Sequence, residues 1–331
     1  MMSEVQKLKD VQALQGATFS MEGSQSTPMD FGGQLSEAIA ATQTGVALCD
    51  RSHWGRIEVA DSDRLRFLHN QSTNDFMAMA PGQGGETVFV TSTARTLDLV
   101  SAYVQTDSVL LLTHPSCRES LLKWMDRFIF FADKVKLNDR TDETVAFSLL
   151  GPQSSELLTQ LGVDALPTND HHHIQAQING MEVLIALGSG LAIPGYTLIA
   201  PVEHGSELWT LLSAAERATL MGETAWNYLR IHQGRPVPGA ELTDDYNPLE
   251  AGLWHTISFD KGCYIGQETI ARLDTYNGVK QQLWGIHLPE RVDPGTPLMV
   301  EGKKVGLLTS VLPANTSPLD GDGDANSEGN S

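Results

Sequence analysis

Between Val46 and Leu150 the chain follows an order of elements that few folds accept. Val46-Ala47-Leu48-Cys49-Asp50 and Trp54 to Val59 read as strands joined by a polar turn around Ser52-His53. Asp61-Ser62-Asp63 then caps a helix that carries Leu65, Phe67 and Leu68. Strand-like runs follow at 87–91 with 96–105 and at 109–113. Pro115-Ser116 opens a helix in which Ser116 and Glu119 form a capping box, and Leu121, Leu122, Met125, Phe128 and Ile129 form one apolar face. A last strand, Val145 to Leu150, completes β-α-β-β-α-β, the split order of a ferredoxin-like unit.

The next hundred residues repeat that theme. Gly151-Pro152 starts a helix to Leu161; strands at 174–178 and 181–187 meet at Asn179-Gly180, a two-residue hairpin signal; Tyr196 to Ala200 is another strand and 203–215 another helix. The fold class expected is α+β, with two such units side by side at 34–150 and 151–254. Residues 1–33 read as a flexible polar arm with at most one short helix. The His171-His172-His173 tract reads as a solvated loop, since three consecutive histidines cannot all face one ion. After Trp226–Ile231, a helix, the chain becomes extended and proline-rich. Short strands expected at 281–288, 298–300 and 304–312 make 255–312 a small β-barrel, either incomplete or lacking its return strands. Residues 313–331 carry hardly an apolar side chain and are expected to be a disordered acidic tail.

Charge narrows the partners. The chain has 22 basic and 41 acidic residues, a formal net charge of −19, and such a field repels nucleic acid and anionic membrane surfaces. No apolar run is long enough to span a bilayer. Three scattered cysteines, Cys49, Cys117 and Cys263, argue against a disulfide framework and for a reducing compartment, cytoplasmic or the interior of an organelle, and no pair has metal-site spacing.

Chemistry concentrates in Lys261-Gly262-Cys263-Tyr264-Ile265-Gly266-Gln267-Glu268. Two glycines let the backbone turn tightly, and a helix expected from Gln267 places Cys263 just ahead of an N-terminus. The helix dipole and Lys261 both favour a thiolate there. Cys263 stands as a candidate reactive group, against the plainer reading of a buried, inert thiol in a turn.

This octet resembles the signature of the YgfZ-type folate-binding proteins, relatives of the glycine-cleavage aminomethyltransferase, or T-protein. The resemblance spans roughly 35–312. Asp50-Arg51-Ser52-His53-Trp54-Gly55-Arg56, Ser72-Thr73-Asn74-Asp75, Tyr228-Leu229-Arg230 and Asn247-Pro248-Leu249-Glu250-Ala251-Gly252-Leu253 agree with it. It implies a three-domain ring around tetrahydrofolate or a one-carbon derivative, and a role with iron–sulfur assembly proteins or client apoproteins. Arg230 would hold the glutamyl tail, helped by Lys261 and Arg272. Tyr196, Tyr228, Trp254, Tyr264 and Trp54 would wall the pterin, beside Gly262, Gln267 and Glu268 of the octet. Asp98, in Thr96-Leu97-Asp98-Leu99, matches one aspartate of the T-protein I-L-D-D segment. Gly195-Tyr196-Thr197-Leu198-Ile199 lacks the glutamate that T-proteins place at the pterin edge, and Cys263 is absent from T-proteins. Three readings follow: a folate-binding aid to iron–sulfur proteins with Cys263 as nucleophile, redox thiol or transient metal ligand; an aminomethyltransferase relying on Asp98; and a folate-sensing scaffold without chemistry.

Overall fold

The computed structural model describes residues 3–22, 25–290 and 292–312. In chain order the elements are α1 (Glu4–Leu14), β1 (Ala17–Glu22), β2 (Gln25–Phe31), α2 (Leu35–Thr44), β3 (Val46–Asp50), β4 (Gly55–Ala60), α3 (Arg64–Gln71), β5 (Gly84–Val90), β6 (Thr96–Val104), β7 (Ser108–Thr113), α4 (Arg118–Asp126), β8 (Lys136–Asp139), β9 (Thr144–Leu150) and α5 (Ser154–Gln160). They continue with β10 (His173–Ile178), β11 (Met181–Leu187), β12 (Gly195–Pro201), α6 (Gly205–Ser213), β13 (Ala218–Met221), α7 (Glu223–His232), α8 (Gln267–Thr275), β14 (Pro297–Val300) and β15 (Lys303–Leu307).

Two mixed α+β layers result, but the chain crosses between them more than its element order suggests. One sheet runs β5-β6-β7-β4-β8; the other runs β10-β11-β12-β9-β3-β13, with β13 parallel to β3. The strands at 46–50 and 144–150, expected to open and close the first unit, both belong to the second sheet, where β9 lies between β3 and β12. The short β8 closes the first sheet instead, pairing Ile57 with Asp139. The burial pattern explains the exchange. All five residues of β3 and six of seven in β9 are buried, so each needs cover on both faces, whereas β8 is half-exposed and suits an edge.

Apolar residues of both sheets meet in a shared core: Tyr103, Leu110 and Leu112 from one, Ala47, Leu150 and Ile199 from the other, joined by Ile39 of α2 and Trp226 and Leu229 of α7. On the far face of the six-stranded sheet, Leu208, Trp209 and Leu212 of α6 and Leu157 and Leu158 of α5 cover Phe147 and Leu198. The expected N-terminal arm joins this layer. Leu8 and Phe31 are buried in it, Phe31 stacks on Trp209 at 5.9 Å, and Gln12 donates to Asp50 Oδ2 at 2.8 Å.

Local expectations fare unevenly. Asn179-Gly180 makes the hairpin turn, with φ of 50° and 80° and Ile178 opposite Met181. The Ser116/Glu119 capping box does not form: the His114 ring accepts from the Ser116 amide and a 3-10 turn at Pro115–Cys117 leads into α4. His173 is buried at the start of β10 against the Tyr103 ring, so the histidine tract is only partly a loop. No closed barrel is present among the described residues: β14 and β15 form an isolated hairpin, and 281–288 pairs in no sheet. The expected 313–331 tail lies outside the described residues.

Candidate functional site

The octet is fastened to the loop after α3. The Lys261 ammonium donates to the carbonyls of His69, Ser72 and Asn74, the last two at 2.7 Å each, and lies 4.6 Å from the centre of the Tyr264 ring. Ile265 N–H donates to Asn70 C=O, Ser258 N–H to Thr73 C=O, and Thr73 Oγ1 to Thr256 C=O. Burial pushes the Lys261 pKa down to about 7 against the pull of the Asp75 carboxylate. Its three N–H groups are spent on protein carbonyls, so Lys261 is a clamp and offers no donor to Cys263 or a ligand.

Beyond the clamp, Gly266 takes φ +84° at the start of α8, where a Cβ would sit 2.9 Å from Thr91 O. Only glycine fits there. Tyr264 and Ile270 pack beneath with Leu249 and Ile257, while Gly262, Cys263 and Glu268 are exposed and Gln267 is half-buried. Cys263 is therefore an open thiol on a rigid mount, not the buried one of the plainer reading. His69 Nδ1 contacts Asp75 Oδ1 at 2.9 Å beside this mount.

Two clefts lie elsewhere, sharing Gly234, Arg235, Ala251, Leu283 and Gly285. The larger, about 1120 Å³, runs between the C-terminal end of α7 and residues 279–312, with Tyr228, Arg230, Glu241, Trp284 and Ser310 on its walls. The smaller, about 870 Å³, is lined by Tyr196, Glu86, Arg235 and His255. Buried Glu86 pairs with Arg235 at 2.6 Å and contacts His255 Nε2 at 3.3 Å; burial opposes its charge, but the Arg235 guanidinium and the hydrogen bonds from His255 and Arg235 prevail and hold the carboxyl well below its usual range. The expected aromatic walls are thus dispersed. Tyr228 and Tyr196 serve different clefts, Trp254 and Tyr264 line neither, Trp54 is core, and Arg272 is exposed on α8.

Asp98 lines neither cleft. It is fully buried on β6, accepts from Thr113 Oγ1 and from the His114 amide at 3.0 Å, and leaves Oδ1 without a partner among the described residues. Burial raises its pKa to about 7 despite those donors. Sequence reasoning missed a cation stack in the shared core. Arg51, buried and ion-paired with Glu223, lies 4.5 Å from the Trp54 ring centre and 3.7 Å from that of Trp226. It also missed Glu241 and Ser310, which sit against Arg230.

A family model for the GCVT N-terminal domain matches residues 8–261, more than three quarters of the chain. The chain belongs to the GCVT N-terminal domain family. The match takes in both sheets and stops at Lys261, two residues short of Cys263. A chloroplastic protein of Arabidopsis thaliana, named as a transferase, is 45% identical over 277 residues, which are 83% of this chain and 63% of that protein. The chain thus spans less than two thirds of that relative's length. The aminomethyltransferase of Bacillus subtilis is 27% identical over 298 residues, covering 85% of this chain and 82% of that enzyme. Among solved structures, the glycine cleavage system aminomethyltransferase T of Bartonella henselae superposes with a TM-score of 0.74 at 18% identity, over 82% of this chain and 74% of that one. The GCVT-family fold is shared with aminomethyltransferase T, without a closed barrel among the described residues.

Proposed function

We propose that this chain binds tetrahydrofolate, or a one-carbon derivative of it, and assists the assembly or repair of iron–sulfur proteins in the manner of the YgfZ-type proteins. The observation that carries the reading is the exposed thiol of Cys263, mounted by Lys261 and Gly266 and lining neither cleft. A thiol so placed meets a partner protein's surface, and a single sulfur suits transient contact with iron or cluster sulfur, since a resident cluster takes about four ligands. The partners are then apoproteins or assembly proteins. The compartment is a reducing one, cytoplasm or an organelle interior, and the chloroplastic relative favours the latter.

The larger cleft suits folate in size and in its mix of apolar wall and cation. Tyr228 and Trp284 offer flat surface and Arg230 a guanidinium. When bound, the cofactor would supply a carrier for one-carbon units, and Tyr228, Trp284 and Arg230 would hold it. Calorimetry with tetrahydrofolate on the native chain, Arg230→Ala and Cys263→Ser tests the site. Native and Cys263→Ser are expected to bind alike and Arg230→Ala at least tenfold more weakly. Reactivation of an oxidant-damaged [4Fe–4S] enzyme, with ferrous iron and a dithiol supplied, tests the role. Cys263→Ser is expected to lose the stimulation that the native chain gives, and equal stimulation would sink the reading.

The alternative, folate-dependent aminomethyl transfer, draws on the unpartnered Oδ1 of Asp98 and the aminomethyltransferase relatives. It predicts methylene-tetrahydrofolate formation from an aminomethyl donor, abolished by Asp98→Asn and indifferent to Cys263→Ser.

A further inference from the structure

The apolar run Phe128-Ile129-Phe130-Phe131-Ala132 after α4 divides in two. The Phe128 ring meets Trp124 at 4.8 Å between centres, and Phe128 and Ile129 pack on the core of the five-stranded sheet. Phe130 and Phe131 turn the other way, 69% and 108% exposed, so that Phe131 is as open to water as in an unfolded chain. The loop that carries them is nevertheless pinned. Asp133 closes it: its amide donates to Phe130 C=O and its Oδ2 accepts from the Phe130 amide, each at 2.9 Å. Asp63, just before α3, holds the far end through two hydrogen bonds with the Lys134 backbone, at 2.9 and 3.0 Å, and Arg66 reaches Asp133 at 3.4 Å. Single exposed apolar side chains are ordinary, but an adjacent aromatic pair held outward by a fixed loop is a surface with a use.

Charge around this tip departs from that of the chain. Residues 61–66 and 123–136, which those bonds tie together, hold six cations, Arg64, Arg66, Lys123, Arg127, Lys134 and Lys136, against four carboxylates, in a protein of net charge −19. Arg127 and Lys134 bracket the two phenylalanines in sequence; both are exposed, and neither enters an ion pair among the described residues. We propose that the tip is an interfacial anchor for an anionic lipid bilayer, with Phe130 and Phe131 at the boundary of headgroups and acyl chains and Arg127 and Lys134 on the phosphates. A ring with nothing beside it makes a convex apolar point, which fluid acyl chains admit anywhere and a folded partner meets only with a matching cup. The long cationic side chains lay their stems along the same boundary and keep their charge among the headgroups. The far field of the whole chain still opposes an anionic surface, but at 0.15 M salt the Debye length is about 8 Å, so the charges nearest the tip decide the contact. The inference rests on neither folate nor Cys263.

Flotation of the full chain with phosphatidylcholine vesicles, containing either no phosphatidylglycerol or about 30 mol% of it, tests the anchor at about 0.15 M salt. The native chain is expected to float with the anionic vesicles, and the double variants Phe130→Ser/Phe131→Ser and Arg127→Glu/Lys134→Glu each to keep about a tenth of that binding or less. Phe131→Trp gives a reading that needs no loss of binding: relative to the native chain, its added emission should move to the blue with anionic vesicles and be quenched by lipids brominated along the acyl chain. A native chain that stays unbound overturns the inference. So does equal binding to both kinds of vesicle, full binding by either double variant, or added emission that brominated lipid leaves unquenched. If a double variant does not fold, the native flotation and Phe131→Trp still decide it. Two further outcomes assign the tip elsewhere and exclude the bilayer: a native dimer in sedimentation that Phe130→Ser/Phe131→Ser dissolves marks a second copy, and binding of a polyglutamate peptide in place of vesicles, lost in Arg127→Glu/Lys134→Glu, marks an acidic protein.

Discussion

Asp98 shows how a single residue was legible in identity but not in state. Its place in Thr96-Leu97-Asp98-Leu99 singled it out, yet a strand sequence does not say which oxygen finds a donor. In the fold Oδ2 takes Thr113 and the His114 amide, and Oδ1 takes nothing among the described residues. Its pKa, about 7 in the folded chain against about 3.9 in an unfolded one, makes the folded state the better proton binder between those values. The resulting stability is present below about pH 4 and is lost as pH rises toward 7. Urea unfolding from pH 4 to 8 should show a decline of a few kcal/mol in the native chain that Asp98→Asn lacks, and an identical slope in both would refute the assignment. Lys261 repeats the lesson with the opposite sign of charge. Its proximity to Cys263 in sequence suggested a partner for the thiolate, but the side chain turns inward because three carbonyls of the 69–74 loop can fill all its donors.

At the scale of elements, glycine placement was the most readable signal and polar composition the least. The start of α8 was expected at Gln267, and it begins there because Gly266 adopts a left-handed conformation against the Thr91 carbonyl. Gly266→Ala should therefore cost about 2 kcal/mol or more in chemical denaturation, from the αL penalty plus the clash. If stability is unchanged, α8 is not anchored as described. The N-terminal residues misled in the other direction. Ser, Gln, Gly and Thr read as a loose arm, because its buried apolar side chains Leu8 and Phe31 lie 23 residues apart and its buried Gln12 and Thr27 are polar, which leaves no periodic pattern. Phe31→Ala should lower stability by about 3–5 kcal/mol if that segment belongs to the fold, and by a few tenths if it is an arm. The missing barrel has a related cause. Alternating residues at 281–288 satisfy the strand pattern, but a strand also needs a neighbour, and pairing is not written in one segment's sequence.

The whole molecule joins two sheets through β3 and β9, and this exchange was not visible in the order of elements. A ferredoxin-like order is compatible with either sheet until burial on both faces is known. Net charge, by contrast, was fixed from composition and bears on how a ligand arrives. With −19 overall and two cleft arginines, Arg230 and Arg235, already engaged by Glu241 and Glu86, an approaching anion meets repulsion at long range and attraction only near the cleft, where Lys280 is the exposed cation. The Debye length is about 30 Å at 0.01 M salt and about 8 Å at 0.15 M, so added salt screens the far field before it weakens the buried contacts. Stopped-flow association of tetrahydrofolate, followed through Trp284 in the larger cleft, should accelerate several-fold as salt rises from about 0.01 to 0.15 M, with little change in the dissociation rate. A rate that falls with salt would mean that a local positive potential outweighs the net charge and steers the ligand, with Lys280, exposed on the larger cleft and in no ion pair among the described residues, as its source.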